Sequence, residues 1–217
     1  MPSFFMSNSI ALGLTYLSIG FSILALVIGL WCIKSIKKYL IPFFLIVSIA
    51  ALVEISSLFI FDTTINNLTI FHFYTAFEFT LIFLFYVLFY RQYFKLKFLY
   101  LLLPCFYLIN YFDNKLNGIN EMDNFSVTIE SSFFIIISLA SFFFIIRHLI
   151  FENIVAMPFF WINSAILIYF SGNMVLFVVN KSLPKEDFYI LYSFINSPLN
   201  ILYNLLICIG FWKSRNS

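Results

Sequence analysis

The chain alternates between long apolar stretches and short polar breaks. A bilayer-spanning helix needs about 20 mainly apolar residues, and seven stretches come close to or exceed that length. They lie at approximately 9–33, 39–61, 68–90, 97–112, 128–147, 158–180 and 187–212. The fourth stretch is the least typical, because it is short and contains Pro104. The pattern predicts an all-α membrane protein in which residues 1–217 form one seven-transmembrane helix bundle.

Composition restricts the class further. Hydrophobic residues make up 63% of the 217 residues and charged residues only 10%, whereas a soluble domain carries roughly 45–50% and about 25%. So few charges cannot cover a water-facing surface, which excludes a soluble globular domain. They also exclude a disordered chain and a nucleic-acid-binding surface, because both depend on charge. The lipid bilayer is therefore the expected environment.

The positively charged residues orient the predicted bundle. Cytoplasmic loops carry an excess of Lys and Arg. Nine of the 12 fall on one side of the seven spans, namely Lys34, Lys37, Lys38, Arg91, Lys95, Lys97, Arg147, Lys213 and Arg215, and Lys115, Lys181 and Lys185 fall on the other. This distribution predicts an external N-terminus, a cytoplasmic C-terminus and a multi-pass protein of the cytoplasmic (inner) membrane.

Two pairs of short segments suggest an internal repeat. The second span opens with PFFLIVS at 42–48 and the sixth with PFFWINS at 158–164. The third span contains YTAFE at 74–78, and the seventh contains YSFIN at 192–196. One interpretation is a 3+1+3 arrangement of parallel repeats, which occurs in some transporters. Chance similarity in Phe-rich sequence is the alternative.

Ionisable residues inside membrane spans are costly and mark candidate functional sites. Here they are Glu54, His72, Glu78 and Glu130. His72, Thr75 and Glu78 recur every three residues, so they lie on one side of the third span. Together with Asn173, Asn196 and Asn200, these residues are the candidate ligand-binding set, and we expect most of them toward the external face. The alternative is a set of carboxyl groups that are hydrogen-bonded between helices and only stabilise packing.

The seventh span carries a polar stripe. Asn196, Asn200 and Asn204 are spaced by four residues and lie on one helical face. Pro198 lies within the stripe, where a proline favours a kink. A polar stripe beside a kink suits a moving helix or a solute path, and it equally suits asparagines that bond to neighbouring helices.

Most familiar chemistries leave no signature in this chain. Cys32, Cys105 and Cys208 show no metal-binding or disulfide spacing, and the two histidines do not form a metal motif with the carboxylates. No phosphate loop or nucleophile motif is present. We therefore expect no metal, no cofactor and no nucleic-acid partner, and we favour a protein that is not an enzyme.

Three stretches together carry a resemblance: FHFYTAFEFTLIFLFY at 71–86, PFFWINSAILIYFSGN at 158–173 and SPLNILYNLLICIGFWKS at 197–214. The set resembles small, uncharacterised bacterial seven-helix integral membrane proteins, some similar to the membrane parts of sensor kinases. The resemblance implies the fold and a polar patch, and it brings no known activity. Unlike the kinase-linked arrangement, this chain ends directly after its last predicted span, so we expect any signal to pass through a separate partner.

Four functions remain open at this point. The leading hypothesis is a membrane sensor or ligand-binding module, with an outward-facing polar pocket for a small polar or lipid-like ligand and a cytoplasmic or membrane protein partner. The second is a small-solute transporter. The third is a membrane-embedded lipid hydrolase, although no activated nucleophile is visible. The fourth is a membrane accessory or defence protein, and a homo-oligomer is compatible with each of them.

Overall fold

The structure is a computed structural model, and it describes residues 2–60, 67–94, 97–117, 124–148, 153–179 and 185–215. Side chains are described for a smaller set: 10–56, 73–94, 99–113, 115, 125–147, 153–176, 178 and 191–215. Within these ranges every regular element is helical. The prediction of an all-α fold is confirmed.

The described residues include seven α-helices. They are α1 Pro2–Cys32, α2 Ile41–Ile60, α3 Asn67–Tyr90, α4 Leu102–Asn117, α5 Asn124–His148, α6 Pro158–Val179 and α7 Lys185–Arg215. Six of them, all except α4, are long and apolar enough to cross a membrane. Several helices extend beyond the predicted spans, α7 at both ends, because helical hydrogen bonding continues past the apolar stretch into flanking polar residues. The structure therefore supports a multi-pass membrane protein.

Prolines explain where several helices begin. Pro158 is the first residue of α6, Pro42 is the second of α2, and Pro104 is the third of α4. The backbone N–H groups of a first helical turn have no partner within the helix, so a proline costs little there. Pro104 thus does not interrupt α4, which directly follows a 3₁₀ turn at Lys97–Leu101.

The described helices form two compact units. The terminal unit contains residues 1–36 and 131–217, and the central unit contains residues 37–130. The chain passes from the central to the terminal unit within α5, between Glu130 and Ser131.

In the terminal unit, α1 and α7 are parallel, because contacts between them advance together along both helices. Ser18 bonds to Asn200, and farther along the pair Trp31 packs edge-on against Trp212. Contacts of α6 with α7, and of α5 with α6, run in the opposite sense. The pairs that show this are Gly172 with Leu199 and Gly210 with Ile162, and Phe134 with Phe170 and Phe142 with Phe160. Hence α1, α5 and α7 point in one direction and α6 in the other.

In the central unit, α2, α3 and α4 alternate in direction. The ring of Tyr39, just before α2, lies 5.4 Å from that of Phe89 near the end of α3, and the Phe43 ring lies 5.3 Å from that of Phe85. Phe79 of α3 stacks on Phe106 of α4 with ring centroids 3.7 Å apart. These aromatic contacts form the core of the unit.

Each unit has one end at which most of its described cations lie, which we call the basic end. Lys115, near the end of α4, and Lys185, at the start of α7, lie at the opposite ends. In the terminal unit the basic end follows from the parallel helices, because Lys34, Arg147, Lys213 and Arg215 lie at or just beyond the C-terminal ends of α1, α5 and α7. In the central unit, Lys37, Lys38 and Arg91 flank the start of α2 and the end of α3. Large apolar side chains such as Ile136, 68% exposed, face outward between the ends, as expected for a lipid-facing surface.

Candidate functional site

Among the described residues of the central unit, the buried polar side chains lie in the half farther from its basic end, which we call the polar half. They are Thr75, Glu78, Asn110, Asp113, Ser126 and Glu130. The other half contains mainly aromatic rings, including those of Phe43, Phe85 and Phe89, each no more than 2% exposed. This asymmetry was expected for the predicted site residues, and it also includes three residues outside that set, Asn110, Asp113 and Ser126.

Thr75 and Glu78 are buried on the same side of α3, at 6% and 8% exposure. The Tyr74 hydroxyl donates to Oε1 of Glu78 over 3.2 Å, so a group on the same helix holds the carboxyl group in place. Glu54 is half-buried in the corresponding part of α2. The side chain of His72 lies outside the described residues.

Glu130 is the most deeply buried carboxyl group of the unit, at 1% exposure. It lies in the second turn of α5, among small polar residues that include Ser126 and Ser131. Burial of a carboxyl group inside a span is costly. Helices that only pack against one another would normally have no carboxyl group at such a position.

Asp113 has a structural role that the sequence did not suggest. Its Oδ2 accepts hydrogen bonds from both the backbone N–H and the hydroxyl of Ser126, at 2.9 and 3.0 Å. Ser126 lies in the first turn of α5, where N–H groups lack partners and negative charge is favourable. Asp113 therefore caps α5 and fixes the connection between α4 and α5.

In the terminal unit, two asparagines of the α7 stripe bond to α1. Nδ2 of Asn200 donates to the hydroxyl of Ser18 at 2.8 Å, and Nδ2 of Asn204 donates to that of Ser22 at 3.0 Å. Asn204 also contacts the backbone carbonyl and Oδ1 of Asn200 at 2.9 and 3.1 Å. We call these four residues the Asn–Ser seam. Asn200, a predicted ligand-binding residue, is thus engaged in helix packing, the alternative left open for this stripe.

Asn173 and Asn196 differ from the seam. Their side-chain Oδ1 atoms are buried and have no hydrogen-bond partner within the described part of the chain. The hydroxyl of Ser131 on α5 is in the same situation. Buried polar groups nearly always have a partner, so these three atoms call for an explanation.

The predicted residues therefore divide between the two units. Glu54, Thr75, Glu78 and Glu130 lie in the polar half of the central unit, and Asn173, Asn196 and Asn200 belong to the terminal unit. Sequence reasoning missed Asp113, Ser126 and Ser131 as members of the polar regions. The spacing of Ser18 and Ser22 matches that of Asn200 and Asn204 and was the available signal for the seam.

The chemistry of both regions is that of noncovalent recognition. Carboxyl, hydroxyl and amide groups supply hydrogen bonds and charge, and the described His, Cys, Asp and Glu residues include no group of three that could hold a metal ion. No protein-family model, curated protein or solved structure matches the chain. Its own residues therefore carry the functional argument.

Proposed function

We propose that the protein is a sensor or ligand-binding module of the cytoplasmic membrane, with an outward-facing polar pocket and a signal passed to a separate partner. The observation that carries the proposal is the burial of two carboxylic acids, Glu78 and Glu130, in the polar half of the central unit. Ionisable groups at such positions commonly serve a ligand, a proton or an ion. Membership of the seven-helix group that the sequence resembles is part of the same proposal.

The pocket would use the central unit's polar half to hold a small polar or lipid-like ligand. Glu78 and Glu130 provide the charge or hydrogen bonds, with Thr75 and Glu54 beside them on α3 and α2. His72 is proposed for the same pocket on its spacing from Thr75 alone. A ligand with hydrogen-bond donors or a positive charge complements this set best, because a carboxylate accepts hydrogen bonds and attracts cations.

In the proposed topology the chain crosses the membrane seven times, with the polar half of the central unit external and the basic ends cytoplasmic. Parity supports it: α1 and α5 point the same way, so the chain between them must cross an odd number of times, which requires α4 to cross as well as α2 and α3. The 3₁₀ turn Lys97–Leu101 and α4 together extend about 34 Å by their standard rises per residue, enough for a hydrocarbon core of about 30 Å.

Labelling of single cysteines tests the topology. In a cysteine-free background, Lys115→Cys and Arg91→Cys are compared in intact cells with a membrane-impermeant maleimide. We expect modification at Lys115→Cys and protection at Arg91→Cys until the cells are opened. Labelling of both positions from outside would contradict the assignment.

A ligand screen tests the function. Purified protein in detergent is melted with a panel of small polar molecules and short-chain lipids, and compounds that raise the melting temperature are repeated on Glu78→Gln and Glu130→Gln. A ligand that binds only the folded state raises its stability by mass action. We expect at least one compound whose effect is lost in both variants.

Asp113→Asn is the matched control for this screen. Asp113 is a buried acid of the same unit, but its carboxylate is bonded to Ser126, so its replacement should lower the melting temperature and leave the ligand shift unchanged. The proposal fails if no compound shifts the melt and cells that carry Glu78→Gln behave as wild type.

A small-solute transporter is the second candidate, and one observation favours it. PFFLIVS and PFFWINS both lie at the start of a helix that follows a 3₁₀ turn, and their residues share the same burial sequence except at Leu45 and Trp161. In both segments the final serine donates to the carbonyl four residues earlier at 2.8 Å. This local match supports the repeat interpretation, and repeats are common in transporters. Solute uptake into proteoliposomes that Glu54→Gln and Glu78→Gln both abolish would favour transport over sensing.

A further inference from the structure

Three helices of the terminal unit each carry a buried polar atom that has no partner among the described residues. The three atoms lie at a similar height along the helices. Ser131 lies on α5, Asn173 on α6 and Asn196 on α7. The similar height follows from neighbouring contacts: the Ser132 hydroxyl lies 3.9 Å from Sδ of Met174, and Leu199 packs at Gly172. We call Ser131, Asn173 and Asn196 the neutral triad.

Asn173 lies on the inner face of α6, between its two neighbours. It follows Tyr169 by four residues and Phe170 by three, so all three share a helical face. Tyr169 packs on Tyr203 of α7 at 4.6 Å, and Phe170 packs on Phe134 of α5 at 4.9 Å. At 4% exposure, Asn173 therefore projects where α5 and α7 converge on α6.

The other two members lie on corresponding faces of their own helices. Asn196 precedes Leu199, which contacts α6, by three residues, and it precedes Asn200, which contacts α1, by four. Ser131 precedes Phe134, which contacts α6, by three residues and is fully buried. All three residues thus lie on faces that pack against a neighbouring helix, with Ser131 and Asn173 buried and Asn196 half-buried.

Pro198 adds a further acceptor on α7. A proline has no backbone N–H, so the carbonyl of Phe194, four residues earlier, lacks its helical donor. The buried atoms without a partner thus include two obligatory acceptors, the Oδ1 atoms of Asn173 and Asn196. An occupant must supply hydrogen-bond donors.

The charge of the region defines the occupant further. The triad itself consists of two amides and a hydroxyl, and its nearest charged neighbour in the chain is Glu130, which directly precedes Ser131. Neutral groups offset little of the cost of taking an ion out of water, and the Glu130 carboxyl group is already assigned to the pocket proposed for the central unit. A neutral donor such as a hydroxyl group is favoured.

We infer that the neutral triad is a binding site for a neutral, hydroxyl-bearing molecule, a different ligand from the one proposed for the carboxyl pocket of the central unit. The site lies in the other unit, contains amide and hydroxyl groups and no carboxylate, and recognises its occupant by donated hydrogen bonds. The hydroxyl group can belong to a free polyol or to a glycerol-based lipid. This inference does not depend on the proposed sensor function.

Thermal unfolding of the full chain in detergent tests it with two probes. Glycerol represents a free polyol, and 1,2-dioctanoylglycerol represents a lipid hydroxyl, with the same lipid acetylated at that hydroxyl as its control. We expect at least one hydroxyl probe to raise the melting temperature of wild type by about 2 °C or more above its effect on Asn173→Leu and Asn196→Leu. The acetylated lipid should give no such difference.

Two further variants complete the comparison. Asn163→Leu, on the same helix, replaces a fully buried asparagine whose Nδ2 donates to the Ser138 carbonyl at 3.0 Å, and it should keep the wild-type probe shift. Ser131→Ala, the smallest change, should weaken the shift even if the leucine variants do not fold.

The responding probe identifies the source of the hydroxyl group. A response to glycerol alone indicates a free polyol, and a response to dioctanoylglycerol alone indicates a lipid. Equal probe shifts in wild type, Asn173→Leu and Ser131→Ala would mean that neither probe binds at the triad, and would overturn the inference whatever the central unit binds.

Discussion

The asparagine stripe of α7 has two different environments along one helical face. At Asn200 and Asn204, the amides are matched by Ser18 and Ser22 of α1 in the Asn–Ser seam. One turn earlier, Oδ1 of Asn196 is buried without a partner in the described chain, as is that of Asn173 on α6. The same residue type in the same periodic pattern is therefore hydrogen-bonded between helices in one place and has an unpartnered buried oxygen in the other.

The difference arises from what faces each turn of α7. Small residues on α1 let the two parallel helices approach closely, and their hydroxyl groups coincide with the asparagine amides. Small residues and polar side chains are the usual means of joining helices in membranes, where the hydrophobic effect does not drive association. At Asn196, Oδ1 has no hydrogen-bond partner within the described residues, and Pro198 follows two residues later in the helix.

Replacement of Asn204 by leucine should have the largest effect. Its Nδ2 contacts three acceptors, the Ser22 hydroxyl and two atoms of Asn200, and leucine of similar size leaves all three buried. A stranded buried group costs about 1–3 kcal/mol. We expect Asn204→Leu to lower the free energy of unfolding by about 2 kcal/mol, measured by denaturant titration in mixed micelles. An unchanged stability would mean that the seam does not hold α1 against α7.

Two glycines allow the effect of an added methyl group to be compared between a closely packed position and a position without close neighbours. A Cβ at Gly210 would lie 2.7 Å from Cγ1 of Ile162 on α6, whereas one at Gly20 on α1 would meet nothing within 4 Å. Overpacking costs about 1–3 kcal/mol, and alanine recovers up to about 1 kcal/mol of helix propensity. We expect Gly210→Ala to destabilise the protein by about 1 kcal/mol in the same titration, and Gly20→Ala to be neutral or stabilising. Equal effects would contradict the α6–α7 register.

Features that depend on residues close together in the sequence could be predicted, and contacts between residues far apart in the sequence could not. The helices follow from local apolar stretches, and the burial of Thr75 and Glu78 on one side of α3 follows from helical spacing. The partner of Asn200 lies 182 residues away, and it depends on the parallel register of α1 and α7, which no local pattern specifies. Asp113 falls just outside the predicted fourth span, 97–112, and its role depends likewise on a partner at the start of α5.

Removal of one hydroxyl group from the seam should have a smaller effect. The hydroxyl of Ser22 accepts from Asn204 and donates to the Ser18 carbonyl at 3.3 Å, and alanine preserves the close approach of the helices. Hydrogen bonds between membrane helices contribute about 0.6 kcal/mol on average. We expect Ser22→Ala to cost about that much, and a double-mutant cycle with Asn204→Leu to show coupling of similar size. Strictly additive effects would show that the two side chains do not interact.

Replacement of Asn196 by leucine should have the smallest effect and the opposite sign. Its Oδ1 is already without a partner, so an apolar side chain of similar size removes a desolvation cost and strands no neighbour. We expect Asn196→Leu to raise the free energy of unfolding by about 0.5 kcal/mol in the absence of added ligand, which is the gain expected when a binding residue is replaced by a structural one. A loss comparable to that of Asn204→Leu would place Asn196 in the packing of the bundle, and the α7 stripe would then be structural along its whole length.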